Sequence, residues 1–555
     1  MAKKLTKAAF LDKIRGGWTG KCAGGILGAP IEGYKRFNTI EITDELFATN
    51  FANDDLDLQL LWLDMVEQKG AHIRGGDFRE HWKNHVHFPW NEYGIATRNI
   101  RLGLDHPATG QVDNTYWGES MGSPIRSEIW GMLCAGQPEM AACYARMDSQ
   151  LDHYGFSVAA EAYFSACAAI AFFESDIPSI LNLAKASLKE LEDALCLQLI
   201  DDILNWYPQL GFATTAAKIK SLYGDADFTS APMNVGFTIL ALLESAGTVA
   251  GIETALHLGH DSDCIVATAG ALLGIIIGYE NLPQKWKDRV GEEILLSPEV
   301  KGINAPATIS ELSQRTIEAA SFFYAGDQYA HQLQIERSQK PSPDCFPAVR
   351  LDWEPAEPTH LWLRIEERSG KEQQLSWELT SPYFETRQGS FDLTSGDMPS
   401  VKIPLKKKES SSRPTGANYP YSLMLRNSLG EEKILERGLP YYGDWLLLGP
   451  FIQDAPKLEP MDANYPDHGM SSLPSVAYMN HDQARPKAPF IDPQQIRHLL
   501  LGGADHLPFG VQVVEPQAMT IDLGDYFYGR GERSLFLYTE ITALESVSKW
   551  LCLGH

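Results

Sequence analysis

Up to about residue 335, apolar residues recur at three- and four-residue spacing. Residues 54–69, 139–147, 157–173, 177–191, 252–257 and 309–322 each carry such a stripe, the mark of a helix that buries one face. Few stretches there alternate apolar with polar residues as a half-buried strand would. Two segments, 156–173 and 269–279, are the most apolar of all. Ser157, Glu161 and Ser165 interrupt the first. The second is too short to cross about 30 Å of hydrocarbon, so both are expected as helices inside a protein core.

Between 336 and 358 the periodicity breaks down. Ser338, Pro341, Ser342, Pro343, Pro347, Pro355 and Pro358 punctuate that stretch, which reads as a linker. Beyond it, short runs at 361–365, 445–448, 511–514 and 535–538 read as strands between turns. The run 406–412, three lysines followed by Glu409 and serines, reads as a solvated loop. The expected organisation is multidomain: an all-α domain over 1–335, a linker over 336–358 and a β-rich, sandwich or jelly-roll-like region over 359–555. A length of 555 residues suits this at roughly 100–200 residues per domain. Residues 549–555 read as an apolar strand entering a turn, with nothing after it to pair it. The expectation is that a partner chain, such as a second copy, completes the β-rich region, or that the chain is shorter than its relatives.

Charge narrows the function. Against 72 acidic residues stand 47 basic ones, a net charge of −25, which disfavours nucleic acid and anionic membranes as partners. Eight cysteines without a CxxC pair make neither a disulfide scaffold nor a zinc ribbon. Asp12, Lys13 and Arg15 interrupt any apolar run near the start, so no secretory signal is read and a cytoplasmic enzyme is expected.

Candidate chemistry sits at three helix boundaries. In the first, Gly16, Gly20, Gly24 and Gly28 fall four apart and form one smooth helix stripe, best read as a packing surface, followed by Pro30 and the lone carboxylate Glu32. The second is Asn53-Asp54-Asp55-Leu56-Asp57, which opens an amphipathic run closed by Gly70. Helix capping explains it adequately when it is taken alone. The third is His260-Asp261-Ser262-Asp263-Cys264, ahead of a helix that is apolar or small on every face. Two aspartates at the mouth of a buried helix cost several kcal/mol each to desolvate unless positive charge is supplied. A hard divalent cation supplies it.

These three segments, in this order, resemble those of the ADP-ribosylglycohydrolase family over about residues 8–325. The resemblance implies a compact all-α fold around two divalent cations, Mg²⁺ or Mn²⁺. It implies hydrolysis of an N- or O-glycosidic bond at the anomeric carbon of an ADP-ribosyl or related ribose-like group, on a small molecule or a protein. On matched positions it implies Asn53, Asp54, Asp55, Asp261, Asp263 and Cys264 as metal ligands, and catalytic roles for Glu32, Asp54, Asp55 and Asp261. The family's substrate loop aligns with residues 121–126, and the resemblance implies substrate contacts from Trp117, Gly118, Gly122, Ser123, Arg126 and His153. Asn53, Leu56 and Cys264 stand where the family has threonines, and Gly25 where it commonly has an aspartate. A thiol is a soft partner for Mg²⁺. The altered substrate loop leaves two alternatives open: a hydrolase of some other glycoside, and a non-catalytic protein that keeps metal for structure.

Other motifs carry less. His81, His85 and His87 include an i,i+4 pair, but no glutamate follows His81 as a zinc-protease motif requires, so a polar helix face is the expected reading. Residues 445–451 resemble the opening of carbohydrate-binding jelly-roll modules, and a buried strand and turn accounts for them equally well.

Overall fold

A computed structural model describes residues 4–41, 43, 51–324, 346–353, 358–367, 372–394, 396–411, 414, 416–443, 445–453, 511–514 and 532–538. The chain divides into two compact units, 1–413 with 419–440 and 414–418 with 441–555.

The first unit opens with the helices α1 (Lys7–Gly28), α2 (Asp54–Lys69), α3 (Gly75–His85), α4 (Asn91–Leu102) and α5 (Ala108–Gln111). There follow α6 (Glu128–Leu133), α7 (Pro138–Ser149), α8 (Gly155–Ala171), α9 (Ile177–Ala184) and α10 (Ala194–Tyr223). The helical part closes with α11 (Ala231–Ser245), α12 (Val249–Thr254), α13 (Ser262–Ile277), α14 (Gln284–Val290) and α15 (Ile309–Ala320). No helix among the described residues is long and apolar enough to cross a membrane.

At the centre α1 and α13 lie against each other almost backbone to backbone. A Cβ added at Gly20 would fall 2.1 Å from the Gly270 carbonyl oxygen, and one at Gly24 would fall 2.2 Å from that of Val266. Gly270 and Gly274 of α13 return the contact on Gly20 and Gly16. The four-residue glycine spacing is thus a packing surface, as its pattern indicates, and it draws the two helix ends that carry Glu32 and Asp261 to the same place. The helix expected over 177–191 is shorter: α9 ends at Ala184 and gives way to 3₁₀ turns. The long α10 bends where Gly211 adopts φ 70°, three residues past Pro208, which cannot donate to the helix ladder.

Seven strands complete this unit: β1 (Ala348–Asp352), β2 (His360–Glu366), β3 (Gln373–Thr380), β4 (Arg387–Leu393), β5 (Ser400–Pro404), β6 (Asn418–Asn427) and β7 (Glu432–Pro440). They form two sheets, β1-β2-β5 and β4-β3-β6-β7. Alternation sets which face is buried: Leu361, Leu363 and Ile365 point inward from β2, and Leu375, Trp377 and Leu379 from β3, all into one apolar core. This is the expected sandwich. One expectation needs correcting, because residues 348–352 fall within the stretch read as linker and instead form β1, paired antiparallel with β2. The flanking prolines obscured a four-residue alternation, Val349-Arg350-Leu351-Asp352, whose Leu351 is buried.

The sandwich also shares its core with Leu104, Ala108 and Val112 of the helical part. The Gly438 backbone N–H donates to the Gly103 carbonyl at 3.1 Å, and Arg74 pairs with Glu366 at 2.6 Å. Helices and sandwich therefore belong to one compact unit.

In the second unit β8 (Trp445–Gln453), β9 (Val511–Val514) and β10 (Glu532–Tyr538) form an antiparallel sheet in the order β10-β8-β9. These are the strands expected at 445–448, 511–514 and 535–538. The strand expected at 549–555 lies outside the described residues.

Candidate active site

Two helix N-termini and one helix exit converge here. Asn53 caps α2, its side-chain oxygen accepting from the Asp55 backbone N–H at 2.8 Å. That cap turns Asp54 and Asp55 into the first turn. Asp54 accepts from the Tyr93 hydroxyl at 3.0 Å. Asp55 is buried, with Lys21 Nζ at 3.2 Å from one carboxylate oxygen and Cys264 Sγ at 3.7 Å from the other. Asp261 is the cap residue of α13, and Asp263 and Cys264 lie in that helix's first turn. The ligand atoms of Asp261, Asp263 and Cys264 all lie within 4.8 Å of one another. Glu32 follows the 3₁₀ turn Ala29–Ile31 at the exit of α1, with its side chain exposed. Ser262 stays out of the cluster because its hydroxyl donates to the Gly28 carbonyl at 2.8 Å and ties the two helices together.

Burial without a cation pushes the carboxyls up. Burial is the main cause throughout. It carries Asp55 to about 8 even though Lys21 opposes it, with Asp263 and Asp54 adding to the rise. Asp263 reaches about 7 through burial and then Glu32, and Asp57 about 7 through burial, although the Ser297 backbone N–H donates to it at 3.2 Å. Asp261 lies well above the carboxylate range through burial and the neighbouring Asp263. Partial burial, then Asp54 and Asp55, raise Glu32. Burial also raises Cys264 and keeps its thiol neutral.

The residues expected at the substrate loop are placed differently. Gly122 backs onto Glu92, where an added Cβ would sit 2.0 Å from a carboxyl oxygen, and Gly118 backs equally closely onto the Tyr154 ring. Ser123 is buried and donates to Glu161 at 2.6 Å. Arg126 is fully buried, and its guanidinium is committed to Asp148, Asp152 and the Gly122 carbonyl at 2.6–3.0 Å. His153 is buried between Asp152 at 2.8 Å and the Ser120 hydroxyl at 3.1 Å. Ser123, Arg126 and His153 thus form an internal polar network that shapes the loop, because an arginine so paired has no donor to offer a ligand. Trp117 is half-buried, its ring 4.5 Å from that of Tyr116.

A cavity of about 620 Å³ opens beside this loop, lined by Tyr116, Glu119, Ser120, Asp202, Tyr223, Asp225, Asp227 and Ser230 among others. Ser230 precedes α11, and Asn234 lies one turn further on. The Asn234 side-chain oxygen accepts from the Asp261 backbone N–H at 3.4 Å. The cavity wall is therefore connected through a single helical turn to the aspartate cluster.

The sequence model of the ADP-ribosylglycohydrolases matches residues 6–320, more than half of the chain. The chain belongs to the ADP-ribosylglycohydrolase family. Members are hydrolases acting on glycosidic bonds. Among solved structures, the chain is similar to one titled "ADP-ribosylglycohydrolase-related protein complex", at 16% identity and a TM-score of 0.34, covering 56% of this chain and 98% of that one. No curated protein matches it at a significant level.

Family members use divalent cations, and this ADP-ribosylglycohydrolase-family site fits one. Asp263 Oδ1 is buried and makes no hydrogen bond, and Asp261, Asp263 and Asp55 offer hard oxygen donors around it. Cys264 is the exception in the set, a neutral soft group beside hard ones. Several contributors were not foreseen from the sequence. Lys21 is fully buried; burial works against its charge, but Asp55 and Glu128 outweigh it and hold the ammonium charged. Gln59 donates to Glu128 at 3.0 Å and fixes that carboxylate. A buried lysine inside a glycine stripe is the one signal that pointed to a nearby carboxylate.

A pH dependence follows. The unfolded chain releases its aspartate protons above about pH 4, whereas the metal-free folded state keeps them on Asp55, Asp57 and Asp263 up to about 7–8. The folded state then binds more protons than the unfolded one, so its stability falls as pH rises across that window. Bound Mg²⁺ takes the place of those protons. The metal-free melting temperature is expected to fall from pH 5 to pH 8, and the rise produced by Mg²⁺ to grow over the same interval. Calorimetry in EDTA and in Mg²⁺ at three pH values tests this, and a pH-independent Mg²⁺ effect would count against these carboxylates as the site.

Proposed function

We propose that the chain is a divalent-cation-dependent glycohydrolase cleaving a bond at the anomeric carbon of an ADP-ribosyl or related ribose-like group. The observation that carries this reading is the meeting of Asp54 and Asp55 with Asp261 and Asp263 at two helix openings that match the family's motifs. Asp54, Asp55, Asp261 and Asp263 would hold two cations, Mg²⁺ or Mn²⁺, with Asn53 assisting through its second lone pair. Bound there, the cations supply Lewis-acid charge and orient the sugar's vicinal hydroxyls and the attacking water. Glu32, exposed at the rim with a raised carboxyl, takes the proton from that water as it adds to the anomeric carbon, and that proton goes on to the departing aglycone as the glycosidic bond breaks. The buried carboxylates stabilise the oxocarbenium-like transition state. Arg126 and His153 act one step back, holding the 120–126 loop in place.

One observation favours a second reading of the substrate. Among the described residues, the lining of the 620 Å³ cavity includes Glu119, Asp202, Asp225 and Asp227 and no lysine or arginine. Four carboxylates repel a pyrophosphate and suit a neutral or cationic aglycone. A hydrolysis screen in Mg²⁺ and in Mn²⁺ decides between the readings, following sugar release from ADP-ribosylated peptides, ADP-ribose esters, nucleosides and simple furanosides. Rapid release of ADP-ribose supports the first. Turnover confined to substrates without pyrophosphate supports the second, and tight metal binding with no turnover on any of them overturns both.

A further inference from the structure

We propose that Asp64, His81 and His85 form a separate metal site, suited to a borderline transition ion such as Zn²⁺, where α2 packs against α3. Their ligand atoms all lie within 4.8 Å of one another. His81 and His85 stand four apart on α3, so both imidazoles lie on one helix face, with ring centroids 4.5 Å apart. From sequence alone that face reads as polar and solvated. In the fold His81 is buried at 6% exposure, because α2 presents Asp64 to it.

Each group is prepared for an ion. His85 Nδ1 lies 2.7 Å from the Lys301 carbonyl, which only accepts, so the proton sits on Nδ1 and Nε2 keeps its lone pair. His81 Nε2 is buried and faces Asp64 Oδ2 at 3.1 Å, so the imidazole and the carboxylate already point at each other. Asp64 is oriented from behind, by the Gln68 amide at 2.7 Å on Oδ2 and the Asn304 backbone N–H at 3.0 Å on Oδ1. Such supporting hydrogen bonds are what fix first ligands in metalloproteins.

Two imidazole nitrogens and one carboxylate match Zn²⁺ or Co²⁺ rather than Mg²⁺, which prefers oxygen alone. The site is also distinct from the aspartate cluster: Asp64 lies ten residues beyond Asp54 on α2, about 15 Å along the axis at 1.5 Å per residue. An ion here clamps α2 to α3 and, through Lys301 and Asn304, to the segment that follows α14. It acts as a fastener for the helix whose first turn holds Asp54 and Asp55.

The test uses the full chain, stripped with chelator and returned to excess Mg²⁺, so that the carboxylate site is occupied. Zn²⁺ and Co²⁺ are then titrated in. One tight equivalent of Zn²⁺ is expected, with visible Co²⁺ absorption of four-coordinate intensity and a raised melting temperature. His85→Ala, at the partly exposed end of α3, should fold and lose at least tenfold in Zn²⁺ affinity together with the Co²⁺ spectrum. Asp261→Asn should keep both, which separates this site from the proposed catalytic one. Failure of the parent protein to bind Zn²⁺ at micromolar concentration overturns the proposal, as does unchanged Zn²⁺ binding in both His85→Ala and Asp64→Asn.

Discussion

Asp261→Asn is expected to abolish hydrolysis while leaving the fold intact. The Asp261 side chain makes no cap hydrogen bond to α13, and asparagine has nearly the same shape, so the helix keeps its opening and Ile265 its backbone bond to residue 261. What changes is charge. Asp261 shares its site with Asp263 and Cys264 within 4.8 Å, and Cys264 cannot make good a lost carboxylate because its thiol stays neutral. Losing a supporting partner of a ligand already costs roughly 10–100-fold in metal affinity or activity, and loss of a ligand should exceed that. The stability readout is independent of activity. Metal bound to the native state alone stabilises by about 2.7 kcal/mol at a hundred times its dissociation constant. In Asp261→Asn most of that gain should vanish, while the metal-free variant should melt close to the parent, because burial already keeps the metal-free Asp261 carboxyl in its neutral form, which asparagine resembles in shape. A variant that stays active and responds to Mg²⁺ like the parent would remove Asp261 from the metal site.

Much of this was legible in the sequence, for physical reasons that differ from place to place. The glycine stripe could be read because four-residue spacing on a helix has one geometric meaning, and Gly20 and Gly24 meet α13 as that spacing requires. Paired aspartates before a wholly apolar helix were legible because burying bare charge is expensive. Strand β1 was missed because prolines on both sides of a short alternation weigh more in a local reading than the alternation does. Lys21, Gln59 and Glu128 were missed because each acts through a partner on another helix. Arg126 shows the same limit from the other side. A charged residue in a substrate-loop motif reads as a ligand contact, and only the fold reveals Asp148 and Asp152 on either side of it, at 2.8 and 2.6 Å. Asp64 with His81 and His85 was invisible for a related reason, since the helical pair is local but the carboxylate that completes the set comes from α2.

Gly20→Ala is expected to be among the most destabilising single-methyl changes in the molecule. The added carbon would sit 2.1 Å from the Gly270 carbonyl oxygen, which belongs to a backbone that is itself locked into the α13 ladder. No rotamer change relieves a backbone contact, so α1 and α13 must separate by about 1 Å along their shared length. That separation loosens the contacts of Gly16, Gly24 and Gly28 together, and it moves Glu32 away from Asp261. Overpacking a tight core typically costs about 1–3 kcal/mol, and a contact between two backbones should reach or exceed the top of that range. Gly76 on α3 provides the contrast. It has negative φ and nothing within 4 Å of its Cβ position, so Gly76→Ala should stabilise by roughly 0.5–1 kcal/mol through helix propensity alone. Thermal unfolding of the two variants in EDTA should therefore shift in opposite directions. In Mg²⁺ the Gly20→Ala protein should also show a reduced metal response, because its two acidic helix openings are no longer held together. Equal melting temperatures for both variants would mean that the α1–α13 contact is softer than its geometry requires, and that the glycine spacing does not set the position of the aspartate cluster.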